Sequence, residues 1–82
     1  MRAWVSSPAY DVAVRTLVDE RKAAGLSQAA LAKRLGKPPS YVAKIELKER
    51  RVDVVEFIEF LQAVGADGVV AVQRIKTALN QM

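Results

Sequence analysis

Apolar residues recur along this chain at intervals of three and four, in five stretches set off by glycine, proline and hydroxyl or carboxylate side chains. That interval is the helical period. The first stretch places Tyr10, Val14, Leu17 and Val18 on one stripe with Arg21. Ser7 reads as its N-cap, Pro8 as its first helical residue and Gly25 as its stop, which predicts a helix over 8–24. Ser27 caps a second helix that turns Ala30, Leu31 and Leu35 inward and ends at Gly36. A third helix is expected over about 39–47, with Pro39 in its first turn, where the missing N–H has no partner to lose. Val42, Ile45 and Glu46 point inward there, while Tyr41 and Lys44, three apart, share another face. Asp53-Val54-Val55-Glu56 has the form of a capping box and opens a fourth helix. Its apolar positions are Val54, Phe57, Ile58, Leu61 and Val64, and Gly65 closes it. Asp67 caps a fifth, with Val69, Val72, Ile75, Leu79 and Met82 along one side. No stretch alternates as a strand does between hairpin turns. The expected fold is all-α, a compact five-helix bundle.

Composition narrows the function classes. At 82 residues the chain has the size of a single domain, 1–82, with a modest core and little room for a cleft. Cysteine and histidine are both absent. That removes thiolate metal ligands, the commonest general base and the commonest metal ligand. No enzymatic activity, metal or cofactor is expected. No apolar run approaches the roughly 20 residues that span a bilayer, and residues 1–10 lack the apolar centre of a signal peptide. No membrane association is expected, and the reducing cytoplasm is the expected location.

The net charge of +4 is unevenly placed. Residues 26–51 hold seven cations (Lys33, Arg34, Lys37, Lys44, Lys48, Arg50 and Arg51) against Glu46 and Glu49, a local +5. Residues 1–25 carry +1 and residues 52–82 carry −2. A basic patch of this kind is the electrostatic footprint of a phosphate backbone, although a charge run alone also fits a solvated helix face.

The second and third helices, joined at Gly36, read together as a helix-turn-helix over 27–47, whose second helix is shaped to enter a DNA major groove. Leu26-Ser27-Gln28, Leu31-Ala32, Leu35-Gly36, Val42-x-x-Ile45-Glu46 and the basic stretch after them resemble the phage-repressor/Cro-type (XRE) family of DNA-binding domains, from about Leu17 to Gly65. The resemblance implies that the third helix reads double-stranded DNA in the major groove. It implies that Gln28 donates to a phosphate, beside Ser27 at the same helix start. It also implies that Arg21 and Glu46 form a structural ion pair between the first and third helices. By position, Pro39, Ser40, Tyr41 and Lys44 project outward. Lys44 reaches guanine acceptors or phosphate, and Ser40 and Tyr41 supply hydroxyls. Lys37, Lys48, Arg50 and Arg51 suit the flanking phosphates. The chain departs from the family pattern at Pro38, where a small polar residue is usual, and at Pro39, where a glutamine often binds adenine. It departs again at Lys48, where glycine is common and lysine must either adopt a left-handed conformation or remodel the loop.

The fifth helix, 67–80, carries more apolar residues than so small a core covers. A homodimer seam of Val69, Val72, Ile75 and Leu79 is therefore expected, which would let two copies read paired half-sites. Trp4 is expected to cover the core or a partner subunit. The expected function is a sequence-specific transcriptional regulator, a repressor binding a palindromic operator as a dimer, encoded by a bacterium or phage and associated with the nucleoid when bound. Two alternatives stay open: an antitoxin that binds its own operator and a toxin partner, and a protein-interaction module that has lost DNA binding.

Overall fold

Ser7 stands in an extended conformation and its Oγ accepts from the Tyr10 backbone N–H at 3.1 Å, with Pro8 in the first turn. This cap opens α1, Pro8–Ala23. The computed structural model describes residues 7–82, so Trp4 lies outside the described residues. Ser27 repeats the device for α2, Gln28–Arg34, accepting from Ala30 N–H at 3.0 Å. The third helix, α3, spans Ser40–Glu46 and begins without a side-chain cap. Pro39 stands before it in helical conformation, and the Tyr41 N–H donates to the Pro38 carbonyl at 2.9 Å. For α4, Val54–Ala63, the capping box is complete: Asp53 Oδ1 accepts from Glu56 N–H and Glu56 Oε1 accepts from Asp53 N–H. Asp67 Oδ1 accepts from both Val69 and Val70 N–H to open α5, Gly68–Asn80.

The turn between α2 and α3 passes through Gly36 at φ 67°, a left-handed conformation that a Cβ disfavours. The turn after α3 has the same requirement but places Lys48 there, at φ 61°, the one non-glycine residue in this region among those described. Such a conformation costs about 1 kcal/mol in a residue with a Cβ.

Five helices and no strand are seen among the described residues. The second and third helices pack on each other, α3 and α4 rest on α1, and α5 lies along α1 and touches α4. Leu17 of α1, Leu31 and Ala32 of α2, Val42 and Ile45 of α3, Phe60 and Leu61 of α4 and Ala71 of α5 meet in one core.

In two helices the packed stripe departs in part from the expected one. In α4 the packed stripe is Phe57, Phe60, Leu61 and Val64, spaced three, four and seven from its start, while Val54 and Ile58 are exposed. Phe60, the bulkiest fully buried side chain, sets that rotation. In α5 the inward stripe is built from Ala71, Ile75 and Ala78, with Ala71 wholly buried. Small residues let this helix approach the core closely, and Val69, Val72, Leu79 and Met82 are left in solvent. No described helix is long and apolar enough to cross a membrane.

Candidate nucleic-acid interface

Seven residues make α3 short, so its orientation depends on what grips it from behind. Glu46, its last residue, is the grip. Arg21 of α1 donates from Nε to Glu46 Oε2 at 2.6 Å and from Nη2 to Oε1 at 2.9 Å. Gln28 of α2 adds Nε2 to the same Oε1 at 2.8 Å, and Arg21 Nη1 donates to the Leu26 carbonyl at 2.8 Å. The Arg21 and Glu46 side chains are only 10% and 7% exposed. A two-point, nearly buried pair fixes angle as well as distance. The hydrogen bond to Glu46 outweighs desolvation and raises the Arg21 pKa further above its ordinary value. One of the two N–H donors of the Gln28 amide is thus occupied within the protein.

The opposite face of α3 is open. Pro39, Ser40 and Lys44 are exposed, with Lys37 and Pro38 ahead of them. Leu47, at the C-terminal end, is 65% exposed. It lies seven residues beyond Ser40 and three beyond Lys44, so it extends their stripe, a relation present in the spacing but left out of the expected site. Ser27 is exposed with its Oγ engaged as the cap of α2.

Tyr41 does not project freely as the sequence predicts. It is half-buried and packs against the core. The Arg50 guanidinium carbon lies 4.9 Å from its ring centroid and Lys37 Nζ 5.4 Å. Burial, with the nearby Glu56 carboxylate, pushes its phenol pKa above the ordinary tyrosine value.

The loop after α3 carries the cations expected at phosphates, and the structure gives each an internal neighbour. Lys48 Nζ donates to Asp11 Oδ1 at 2.8 Å, tying the loop to α1. Arg50 donates to both oxygens of Glu56, from Nη2 at 2.7 Å and Nη1 at 3.0 Å. Chiefly through Arg50, then through the Asp53 backbone N–H, Glu56 is held down to a pKa of about 2. The Arg51 guanidinium lies 4.4 Å over the Tyr10 ring, whose hydroxyl accepts from Val52 N–H at 3.1 Å. The partners Asp11, Glu56 and Tyr10 have no counterpart in the sequence reading. The three cations stand 37, six and 41 residues from these partners, separations that give no periodic signal.

The residues expected at a dimer seam split. Val69, Val72 and Leu79 are exposed and Ile75 is half-buried. Val69 and Val72 help line an open apolar cleft of about 480 Å³ between α4 and α5, with Phe57, Ile58 and Leu61. Among the described residues no cluster of acidic side chains is arranged to hold a metal ion.

A projecting helix face beside a cationic loop, held by a nearly buried pair, is suited to a charged groove. Comparison with curated proteins finds no match. A solved structure, an XRE-family like protein from Pseudomonas syringae pv. tomato str. DC3000, is similar at 38% identity with a TM-score of 0.81, covering 85% of each chain. A helix-turn-helix family model matches residues 17–67, which include all of α2, α3 and α4. With the fold, the paired helices and both matches in agreement, the chain belongs to the phage-repressor/Cro-type (XRE) helix-turn-helix family of DNA-binding regulators.

Proposed function

We propose that the chain represses transcription by binding a palindromic operator as a homodimer, with α3 in the major groove. The observation that carries this reading is the contrast between the two faces of α3. One is locked by Arg21, Glu46 and Gln28, and the other presents Pro39, Ser40 and Lys44 to solvent. In this reading Ser40 and Lys44 contact base edges or phosphate, and Pro39 packs against a thymine methyl. The part of Tyr41 left to solvent borders the groove. Ser27 and the unused donor of Gln28 contact one phosphate strand, while Lys37, Lys48 and Arg51 contact the other. Exposed Val69, Val72 and Leu79 with Ile75 form the seam between copies, which places two reading helices one DNA turn apart.

The test is binding to a labelled duplex across a salt series. The log of the association constant is expected to fall linearly with log salt, with one ion released per phosphate contact. Absent binding at low salt, or binding indifferent to salt, contradicts the proposal.

A further inference from the structure

We infer that Glu56, on α4, is a positioning residue for DNA binding: it holds Arg50 against Tyr41 as a strut beneath the reading helix and keeps Arg50 out of the phosphate contacts. This rests on the reading of α3 as the DNA-contacting helix. Arg50 sits in a cationic loop, and charge alone would assign it to phosphate. Its geometry assigns it inward. Nη1 and Nη2 donate to the two Glu56 oxygens at 3.0 and 2.7 Å, and Nη1 also donates to the Arg51 carbonyl at 3.2 Å. The guanidinium carbon lies 4.9 Å from the Tyr41 ring centroid. The fork of an arginine matches a carboxylate in this two-point way, and its planar cation is suited to an aromatic face.

Glu56 is fixed in turn. Its Oε1 accepts from Asp53 N–H at 3.0 Å, and its own N–H donates to Asp53 Oδ1 at 2.7 Å, so the cap of α4 sets where the carboxylate points. The chain of contacts runs from that cap through Glu56 and Arg50 to Tyr41. Tyr41 lies one residue after Ser40 and three before Lys44, the exposed positions of α3. Holding Tyr41 against the core therefore sets how Ser40 and Lys44 are presented. A phosphate that recruited Arg50 would have to break a two-point pair, whereas Lys48 holds Asp11 through one of its three N–H donors, and the front of α3 would lose its support.

Three proteins test the strut: wild type, R50A and E56Q. Each is measured on a mixed-sequence duplex across a salt series and on a duplex selected from a random pool by the wild type. With R50A the salt slope is expected to stay unchanged, while affinity for the selected duplex falls about tenfold, because the loop must then be ordered at each binding event. With E56Q the slope is expected to steepen by about one, as the released cation reaches a phosphate. A readout without DNA follows Tyr41 by carbon-13 labelling of tyrosine. In E56Q its phenol is expected to titrate at lower pH, because the anion that opposes its ionisation is gone, and in R50A at higher pH. Should R50A fail to fold, R50Q removes the charge while keeping a long polar side chain, and the same unchanged slope is expected.

A slope that flattens by about one in R50A or in R50Q makes Arg50 a phosphate ligand and overturns the inference, as does a Tyr41 titration indifferent to E56Q. Wild-type protein without salt-dependent binding overturns the DNA reading and the positioning role with it. The Tyr41 titration, which needs no DNA, separates that outcome from failure of the strut alone.

Discussion

Glu46 and Glu56 show what a carboxylate does when its partner is an arginine fork, and they differ in burial. Arg21 and Glu46 are nearly covered, so removing one partner leaves a charge in a poorly solvated place. Arg21→Ala is expected to destabilise the fold by about 3 kcal/mol, and Arg21→Met with Glu46→Leu is expected to recover much of that loss. Thermal melts of the three proteins decide it, and a single variant as stable as wild type removes the pair from the account. Arg50 is 39% exposed, so its pair with Glu56 shows best in its dependence on pH. Glu56 is depressed to about 2 in the folded protein, below the ordinary glutamate value of about 4.3. The unfolded chain thus takes up that proton first. The pair's stabilisation is present above the ordinary value and is lost as pH falls towards 2. Urea melts at a series of pH values are expected to show the gap between wild type and E56Q closing in that window, and a gap independent of pH contradicts this. At Lys48 the family resemblance left two options, a left-handed lysine or a remodelled loop, and the chain takes the first, at φ 61°. The Arg50–Glu56 pair was not legible. It spans six residues across a loop, and Glu56 already had a sufficient role as the third residue of the capping box.

Helix boundaries were readable from caps, since Ser7, Ser27, Asp53 and Asp67 each accept the backbone N–H groups their positions suggest. Helix rotation was less readable. In α4 the expected stripe held Phe57, Leu61 and Val64 but also Val54 and Ile58, and Phe60 fills the core in place of those two. In α5 the inward face is made of alanines around Ile75, which a count of large apolar residues assigns to the wrong side. The short α3 escaped this ambiguity because Val42 and Ile45 are its large aliphatic residues inside the helix, and both are fully buried. Lys44 is then the cation on its open face. Lys44→Ala is expected to cost about 1 to 3 kcal/mol in specific binding if Lys44 reads a base, with specificity relaxed at one position. If it contacts phosphate alone, binding falls evenly across sequences and the salt slope shrinks by about one. Anisotropy titrations on matched and mismatched duplexes separate the two, and no change in either removes Lys44 from the interface.

At the scale of the molecule, cations crowd onto α2, α3 and the following loop, while valines crowd onto the outer side of α5. Charge would bring the domain to DNA without choosing a sequence, and in the proposed homodimer two short helices would act as one longer reader. Val69→Asp with Val72→Asp, both on the exposed side of α5, is expected to give monomers that bind a single half-site weakly, against a dimeric wild type. Sedimentation with and without DNA checks this, and a wild type that remains monomeric in both refutes the seam. The most direct measurement of the central claim is selection of bound duplexes from a random pool by the wild-type chain, repeated with Lys44→Ala. The expected result is an enriched palindrome whose half-sites lie about 10 base pairs apart, with base preference weakened at matching positions of both arms in the variant. A pool that gains no motif, or a motif unchanged in both sequence and strength by Lys44→Ala, contradicts the account of α3 as the reading helix.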